Sequence, residues 1–314
     1  MSYEEVQKVW MNGRLVDFAD AKIHAFSHVF HYGSGMFEGT RVYKTASGPA
    51  AFRLDAHIER LFHSCRIYRM EIPYTPTEIR EAIFDTIRAN RFEACYIRPV
   101  VYRGLGALGV NPFKSPVDVL IAVWKWGQYL GDDAVQNGVD VCVSSWNRMA
   151  PNTFPAMAKA TGNYVNSMLI KMEAIVNGYT EGIALDNTGR ISEGSGENIF
   201  LVYQGRLLTP PLAGTILPGI TRETVITLAR DAGYTVVEQQ IAREMLYIAD
   251  EVFFTGTAAE ITPVRSVDRV PVGSGTRGPV TERLQKDFFS LLEGESEDRY
   301  GWLTPIPVED AVSR

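Results

Sequence analysis

The chain is short of cysteine, of long apolar runs and of basic runs, and each shortage removes a class of protein. Its three cysteines, Cys65, Cys95 and Cys142, are far apart and form no C-x-x-C pair. This spacing predicts buried free thiols, with no disulfide framework and no metal site. The longest apolar run, around Val119–Trp124, is too short to cross a bilayer. No membrane association is therefore expected.

The charge balance argues against nucleic-acid binding. The 314 residues carry a formal net charge of −6 and a pI of about 5.5. No Lys/Arg-rich segment provides the basic footprint of nucleic-acid-binding domains. The N-terminal segment MSYEEVQKVWMNG is acidic and lacks the apolar core of a secretion signal, so a cytoplasmic location is expected. Small anionic ligands are compatible with this balance, because a local site can be basic in an acidic protein.

Apolar residues make up 46% of the chain, which is enough for a large core. Asn12-Gly13 separates two short apolar runs and predicts a β-hairpin with a type I′ turn. Thr75-Pro76-Thr77-Glu78 is a capping box with proline at the first helical position. A helix is also predicted over 55–70, and strands over 95–103 and 117–126. Together they predict a small N-terminal α+β domain, residues 1–126.

Residues 127–137 are polar and rich in turn formers, and they predict an interdomain linker. The remainder, residues 138–314, mixes predicted strands with helices. The strands are expected at 139–146, 182–186, 198–202, 236–241 and 251–255, and the helices at 164–177, 221–232 and 280–292. This order predicts a larger C-terminal domain and an α+β (α/β) fold class.

Lys159 has an unusual setting, in the segment APNTFPAMAKATGNY. Its neighbours are small and uncharged, which favours desolvation of the amine. Desolvation disfavours the ammonium form and lowers the pKa, as a lysine that attacks a carbonyl requires. The alternative is a lysine whose aliphatic stem lies along an apolar surface while the amine reaches water.

Two turns are candidates for anion binding. In LPGITRET (217–224), a Pro-Gly turn leads to Thr221 as the expected N-cap of a helix, whose N-terminus would attract a phosphate. In FFTGTAAEITPV (253–264), small residues follow an apolar strand and let backbone N–H groups approach an anion. An ordinary N-cap and an ordinary strand end are the alternatives.

Two charged positions complete the set of candidates. ISEGSGENIF (191–200) carries Glu193 and Glu197 among glycines, and such a carboxylate could pair with a protonated ring nitrogen; a solvated turn is the alternative. Arg60 lies at a helix position expected to face inward and needs an anionic partner, either a ligand or a protein carboxylate. An amine, anion-binding groups and a carboxylate together match pyridoxal 5′-phosphate.

The chain resembles the branched-chain amino acid aminotransferases of the fold-type IV pyridoxal-phosphate enzymes, bacterial type, over nearly its whole length. The resemblance is carried by HYGSGMFEGTRVY (31–43), YIRPVVYRG (96–104), GVNP (109–112), SSWNRMAPNT (144–153), AKATGNY (158–164), EGIALD (181–186), ISEGSGENIF (191–200), LPGITR (217–222) and DEVFFTGTAAEITPVRSVD (250–268). It implies a two-domain fold with a larger, pseudo-barrel-like C-terminal α/β domain. It also implies the exchange of an amino group between leucine, isoleucine or valine and 2-oxoglutarate, with ping-pong kinetics.

The resemblance implies a role for each cofactor residue. Lys159 would hold pyridoxal 5′-phosphate covalently and then move the proton at the substrate α-carbon, and Glu193 would face the pyridine nitrogen. Tyr164 would bind the phenolic oxygen. The phosphate would be held by Arg60, Thr221, Thr257 and the backbone N–H of Ile220.

The resemblance also implies a substrate site that accepts both apolar and acidic side chains. Its apolar wall would be formed by Tyr32, Phe37, Trp126, Tyr129 and Tyr164. Arg98 and Tyr96 would meet the glutamate carboxylate, and the backbone N–H groups of Thr257 and Ala258 would bind the α-carboxylate. The alternative for the aromatic set is core packing. Val110 would come from a neighbouring subunit, which implies a homo-oligomer, either a dimer or a hexamer built of dimers.

Two departures from the bacterial pattern are mild: Leu108, where methionine is common, and Phe154, at a usually aliphatic position. Their effect on substrate ranking is not predicted. Competing functions with the same fold are a D-amino acid or (R)-amine transaminase and aminodeoxychorismate lyase, but Arg98 and GVNP favour the branched-chain reaction. A non-catalytic binding protein is disfavoured because Lys159, Tyr164 and Glu193 are all present.

Overall fold

The computed structural model describes residues 3–127, 130–131 and 133–307. Its strands are β1 (Lys8–Met11), β2 (Arg14–Asp17), β3 (Gly35–Phe37), β4 (Thr40–Thr45), β5 (Gly48–Phe52), β6 (Cys95–Arg103), β7 (Val117–Trp124), β8 (Val139–Val143), β9 (Glu181–Leu185), β10 (Ile191–Gly194), β11 (Asn198–Tyr203), β12 (Arg206–Thr209), β13 (Thr235–Glu238), β14 (Glu251–Gly256), β15 (Glu260–Val267), β16 (Val270–Pro271) and β17 (Leu303–Pro305). Its α-helices are α1 (His28–Tyr32), α2 (Leu54–Ile67), α3 (Pro76–Asn90), α4 (Ala134–Asn137), α5 (Tyr164–Val176), α6 (Ile220–Asp231) and α7 (Pro279–Glu293). The α+β fold class is confirmed.

The chain divides into two compact units. The first contains residues 1–127, 158–162 and 290–314, and the second contains residues 128–157 and 163–289. The predicted ranges 1–126, 127–137 and 138–314 remain predictions of domain boundaries. Two segments of the predicted C-terminal domain group with the first unit for a physical reason. Strand β17 pairs with β5, and Ala160 forms a β-bridge with Met36.

The first unit is built on an antiparallel sheet. Within the described residues its strand order is β17-β5-β4-β6-β7-β1-β2, and β3 pairs with β6. The predicted hairpin is present, because Asn12 and Gly13 both adopt positive φ between β1 and β2. The predicted capping box begins α3: the Thr75 hydroxyl accepts from Glu78 N, and the Glu78 carboxylate accepts from Thr75 N. The hairpin turn and the start of α3 thus lie where the sequence predicts them.

Helix α2 carries a polar stripe on its buried face. His57, Arg60 and Ser64 are 2%, 9% and 0% exposed. Their spacing of three and four residues puts them on one side of the helix. Because a buried polar group must be hydrogen-bonded, each of these side chains needs a partner on a neighbouring element.

The second unit contains a mixed sheet. Its described strands run in the order β10-β9-β8-β15-β14-β11-β12-β13, and β16 pairs with β15. β8 pairs parallel with both β9 and β15, whereas β11, β14 and β15 are antiparallel neighbours. Buried side chains of these strands, among them Val141, Ile199 and Leu201, form a hydrophobic core cluster. The predicted linker contains the one-turn helix α4 in its last four residues.

No α-helix in the described ranges is long and apolar enough to cross a bilayer. The described part of the chain also contains no group of three His, Cys, Asp or Glu side chains arranged to bind a metal ion. Cys65, Cys95 and Cys142 are buried free thiols, as predicted.

Candidate active site

Lys159 is held by two backbone contacts inside the first unit. Its N–H donates to the Ser64 hydroxyl of α2 at 3.0 Å, and its carbonyl accepts from Phe37 N, at the end of β3, at 3.0 Å. The amine lies over the Phe37 ring, 5.0 Å from the centroid. The lysine backbone is therefore fixed between a helix and a strand that are far away in sequence.

The Lys159 amine has the chemistry that its sequence setting predicts. Desolvation, followed by the charge of Arg60, lowers its pKa from 10.5 to about 8, while Glu38 acts in the opposite direction. A larger share of the neutral, nucleophilic amine is thus present near neutral pH. Of the two alternatives for Lys159, the desolvated amine agrees with the structure.

We expect Lys159 to titrate near pH 8 in the full-length chain without cofactor. Its reaction with trace acetic anhydride should rise up to about pH 8 and then level off, because only the neutral amine reacts. A lysine peptide in the same tube, with a pKa of about 10.4, serves as the standard. The measurement is mass spectrometry of the peptide that contains Lys159. Reactivity that follows the standard would contradict the assignment.

Arg98, on β6, lies among aromatic rings. Its guanidinium carbon is 4.8 Å from the ring centroid of Phe37, 5.2 Å from that of Tyr96 and 5.5 Å from that of Trp124. The Tyr96 hydroxyl accepts a long hydrogen bond of 3.4 Å from Arg98 Nη2, and Nε is buried with no hydrogen-bond partner in the described ranges. No carboxylate within those ranges forms a salt bridge with it. The Trp126 ring packs against that of Tyr96 in a tilted arrangement, with the centroids 4.5 Å apart. This half-buried cation is thus suited to an anionic ligand.

Gly39 leaves the space that the Tyr96 ring occupies. A Cβ at position 39 would lie 1.7 Å from the Tyr96 hydroxyl and 2.6 Å from the carbon that bears it. We expect Gly39→Ala to push the ring off Arg98, to cost about 1–3 kcal/mol of stability and to weaken the reaction with 2-oxoglutarate that the resemblance implies. Thermal unfolding and kcat/KM measure these effects. Gly127→Ala is the control, since nothing lies within 4 Å of a Cβ there. Equal behaviour of the two variants would contradict the expectation.

Tyr32 and Val110 lie in one exposed region of the first unit. Their exposed fractions are 47% and 86%. His28 joins the two segments, because its ring contacts Tyr32 at 4.5 Å and its Nε2 donates to the Gly109 carbonyl at 2.8 Å. The expected role of Tyr32 in the apolar wall and that of Val110 in a neighbouring subunit stay predictions. Tyr129 lies outside the described residues.

Glu193, on β10 of the second unit, is a buried carboxylate with four donors. Arg148 donates to Oε1 from Nε, at 2.9 Å, and also from Nη2. Leu217 N and Asn198 Nδ2 donate to Oε2, at 3.1 and 3.2 Å. Arg148 Nη1 also donates to the Ser167 hydroxyl of α5. Glu193 is thus held in one orientation by elements on several sides of the strand.

The N-terminus of α6 lies beside this carboxylate. Asn198 bridges them, because its Nδ2 donates to both Glu193 Oε2 and the Leu217 carbonyl. The prediction that Thr221 is the N-cap is wrong: Gly219 occupies that position, no side chain caps the helix, and Thr221 lies buried in the first turn. Glycine is required at 219, since a Cβ would lie 1.8 Å from Asn198 Oδ1. The uncapped turn leaves Ile220 and Thr221 at an end that favours anions.

Thr257 and Ala258 form the turn between β14 and β15, and both are half-buried. The turn follows Thr255, whose strand register pairs it with Asn198. In the second unit, Glu193, the start of α6 and this turn are therefore connected through one asparagine. Tyr164 is the first residue of α5 and is half-buried.

Comparison with known proteins identifies the family. The sequence profile described as Amino-transferase class IV matches residues 35–267. The chain belongs to this family. A branched-chain-amino-acid aminotransferase of Salmonella typhimurium is 52% identical over 307 residues, which is 98% of this chain and 99% of that protein. The prediction, from the resemblance, that the chain is an aminotransferase is confirmed.

Solved structures agree with the class IV assignment. The crystal structure of the Escherichia coli branched-chain amino acid aminotransferase matches with a TM-score of 0.95 at 51% identity, covering 96% of this chain and 100% of that one. The branched-chain amino acid aminotransferase of Thermobaculum terrenum, solved in its PLP-form, matches with a TM-score of 0.90 at 34% identity, covering 97% and 100%. The fold of this aminotransferase is thus shared along nearly the whole chain.

Sequence reasoning missed several residues of this aminotransferase. In the first unit these are Glu38, His57, Ser64 and Trp124, and in the second unit Arg148 and Asn198. The motifs that carry the resemblance contain Glu38 and Arg148. The available signals were that Arg148 is the single charge of SSWNRMAPNT and that Glu38 is the single carboxylate of HYGSGMFEGTRVY.

Proposed function

We propose that the chain is a branched-chain-amino-acid aminotransferase, which exchanges the amino group of leucine, isoleucine or valine with 2-oxoglutarate. One observation carries this proposal: a desolvated amine and a guanidinium that no described carboxylate neutralises both lie over the ring of Phe37. The amine is Lys159, at 5.0 Å, and the guanidinium is Arg98, at 4.8 Å. Such a ring can contact an apolar side chain, and the guanidinium beside it can pair with a carboxylate.

Pyridoxal 5′-phosphate is the proposed cofactor, and the residues present fit it. Lys159 supplies an amine whose pKa is lowered to about 8. The uncapped first turn of α6, with Ile220 and Thr221, suits a phosphate, and Arg60 and Thr257 are proposed as further phosphate ligands. When bound, this cofactor takes up the amino group of one substrate and delivers it to the oxo acid that follows.

Lys159 has two proposed tasks. It holds the cofactor covalently at rest, and it moves the proton at the substrate α-carbon during turnover. Both tasks need an amine that is neutral for part of the time near neutral pH, which the pKa of about 8 provides. Its neighbours Ala158 and Ala160 are buried and small, so Lys159 is the only one of these three residues with a long side chain.

Glu193 is proposed to face the pyridine nitrogen of the cofactor. Its four donors fix the carboxylate in place, and the Arg148 guanidinium compensates its charge within the buried surroundings. Tyr164 is proposed to bind the phenolic oxygen of the cofactor. The backbone N–H groups of Thr257 and Ala258 are proposed to bind the substrate α-carboxylate.

The site for the substrate side chain must bind both leucine and glutamate. We propose that Phe37, Tyr96 and Trp126 contact the apolar side chain, together with Tyr129, and that Arg98 pairs with the glutamate carboxylate. The aromatic faces stabilise the guanidinium while no carboxylate is present, at about 0.5–2 kcal/mol for each contact. The arginine can thus remain in place during the reaction with leucine.

A homo-oligomer is proposed in which Tyr32 and Val110 reach the site of a neighbouring subunit. Both side chains are exposed and belong to segments that His28 connects. A dimer, or a hexamer of dimers, would satisfy this arrangement, and the proposed location is the cytoplasm. Leu108 and Phe154 are about half exposed, and nothing in the structure explains how they affect substrate ranking.

Cofactor absorbance tests the proposed reaction. The purified protein is loaded with pyridoxal 5′-phosphate and mixed in turn with L-leucine, D-alanine and aminodeoxychorismate. We expect L-leucine to convert the cofactor to its pyridoxamine form, and 2-oxoglutarate to restore the starting spectrum. No spectral change with L-leucine would refute the proposal. Conversion by D-alanine, or pyruvate release from aminodeoxychorismate, would favour the competing reactions.

A further inference from the structure

Glu38 is a buried carboxylate with four donors. It directly follows β3 and is 1% exposed. Arg60 donates from Nε to Oε1 at 2.6 Å and from Nη2 to Oε2 at 2.9 Å. His57 Nδ1 donates to Oε2 at 2.7 Å, and Gly39 N donates to the same oxygen at 3.2 Å. None of the roles proposed above uses this carboxylate.

The elements that carry this group also hold Lys159. Ser64, which accepts from Lys159 N, lies one helical turn after Arg60 on α2. Phe37, which donates to the Lys159 carbonyl, directly precedes Glu38. The backbone of Lys159 is therefore fixed relative to both partners of the Glu38–Arg60 pair.

The paired hydrogen bonds from Arg60 to both oxygens of Glu38, called the fork below, determine how Arg60 is oriented. A planar guanidinium that donates from Nε and Nη2 to both oxygens of one carboxylate cannot rotate without breaking two charge-assisted hydrogen bonds. The fork occupies one edge of the guanidinium and thereby fixes the direction of the opposite edge. The buried imidazole of His57 supports the carboxylate from the preceding turn of α2.

The charges of the pair act on Lys159 in opposite directions. Burial lowers the pKa of the Lys159 amine most; Arg60 then lowers it and Glu38 raises it, with smaller effects from Tyr96 and Arg98 on β6. Burial alone would raise the pKa of Glu38, but Arg60 and His57 hold it well below its usual range, so it is ionised. Burial lowers the pKa of His57, which therefore adds no positive charge near neutral pH.

We propose that Glu38 is a positioning residue, which fixes the orientation of Arg60 and offsets its charge at the Lys159 amine. Without this carboxylate the amine would face two guanidinium groups, Arg60 and Arg98, and would be neutral over a wider pH range. The inference rests on the proposed function for the roles of Lys159 and Arg60. It adds the group that sets how much of the Arg60 charge reaches the lysine.

Competitive labelling of Lys159 tests this role without any turnover. Full-length Glu38→Gln, cleared of cofactor, is treated with trace acetic anhydride across a pH range of about 6 to 11, and the Lys159 peptide is quantified by mass spectrometry. We expect the midpoint to fall by about one pH unit from the wild-type value, as for the loss of a nearby opposite charge. Glu38→Asp keeps the charge, so its midpoint should lie close to the wild-type value. Glu93→Gln, which removes an exposed carboxylate paired with Lys44, is the control and should not move the midpoint.

An unchanged midpoint in folded Glu38→Gln would overturn the proposal. If this variant does not fold, Glu38→Gln/Arg60→Met decides, because it removes both charges of the buried pair. Its midpoint should lie closer to the wild-type value than that of Arg60→Met alone. A midpoint equal to that of Arg60→Met would show that Glu38 has no influence on the amine. Since no substrate is present, the result does not depend on which reaction the chain catalyses.

Discussion

Lys159→Ala is expected to reduce transamination by at least about 10⁴-fold, the largest loss for any single residue of this chain. The variant lacks both the covalent link to the cofactor and the group that moves the α-proton, and a positioned proton-transfer group alone contributes about 10²–10⁴-fold. The measurement is the rate of the L-leucine half-reaction in a stopped-flow absorbance experiment. The fold should persist, because the backbone of Lys159, which alanine keeps, makes the contacts with Ser64 and Phe37.

The matched control is Lys125→Ala. Lys125 is an exposed lysine whose amine pairs with Glu5 at 2.7 Å, so this variant loses a surface ion pair alone. Its rate should stay within about twofold of wild type. Near wild-type turnover by Lys159→Ala would refute the role of the lysine, whatever the control does.

Arg98→Leu is expected to separate the two half-reactions. The reaction with L-glutamate should slow by roughly 10²-fold, because removing one partner of a buried, hydrogen-bonded charge pair costs about 2–5 kcal/mol. The reaction with L-leucine should change by less than about threefold, because leucine brings no side-chain charge and the aromatic rings remain. Single-turnover rates with each amino acid, measured on the same preparation, give the comparison.

Arg14→Leu is the control for this variant. Arg14 lies exposed on β2, so its loss should leave the ratio of the two rates at the wild-type value. An equal loss with both substrates in Arg98→Leu would show a general structural effect. An equal loss would therefore argue against Arg98 as the receptor for the glutamate carboxylate.

Local signals predicted the secondary structure well where a few adjacent residues decide it. The capping box at Thr75 begins α3, Asn12-Gly13 forms the hairpin turn, and the predicted strand 95–103 coincides with β6. Thr221 failed as an N-cap because the close packing of Gly219 on Asn198 decides the start of α6. Gly219 and Asn198 are distant along the chain, so a local sequence pattern does not reveal that they pack together.

The setting of Lys159 was predictable from the sequence, but the supporting contacts of the candidate site were not. Small neighbours indicated a desolvated Lys159, and the lowered pKa agrees. The partners of Arg60 and Glu193 were not predictable, because each pair is made by tertiary contacts. Glu38 lies 22 residues from Arg60, and Arg148 lies 45 residues from Glu193. The tertiary fold determines which buried charges form a pair.

The contacts that hold the Lys159 segment have a consequence for when the amine becomes reactive. Ser64 is 95 residues away from Lys159, and Gly33 and Gly35, which contact Thr161, are 128 and 126 residues away from it. Contacts over such separations form late, because loop closure costs entropy before they reward it. A newly made or unfolded chain therefore carries an ordinary lysine at this position. The lowered pKa of Lys159 depends on burial and on charges that the folded first unit supplies, so the reactive amine appears only after that unit has assembled.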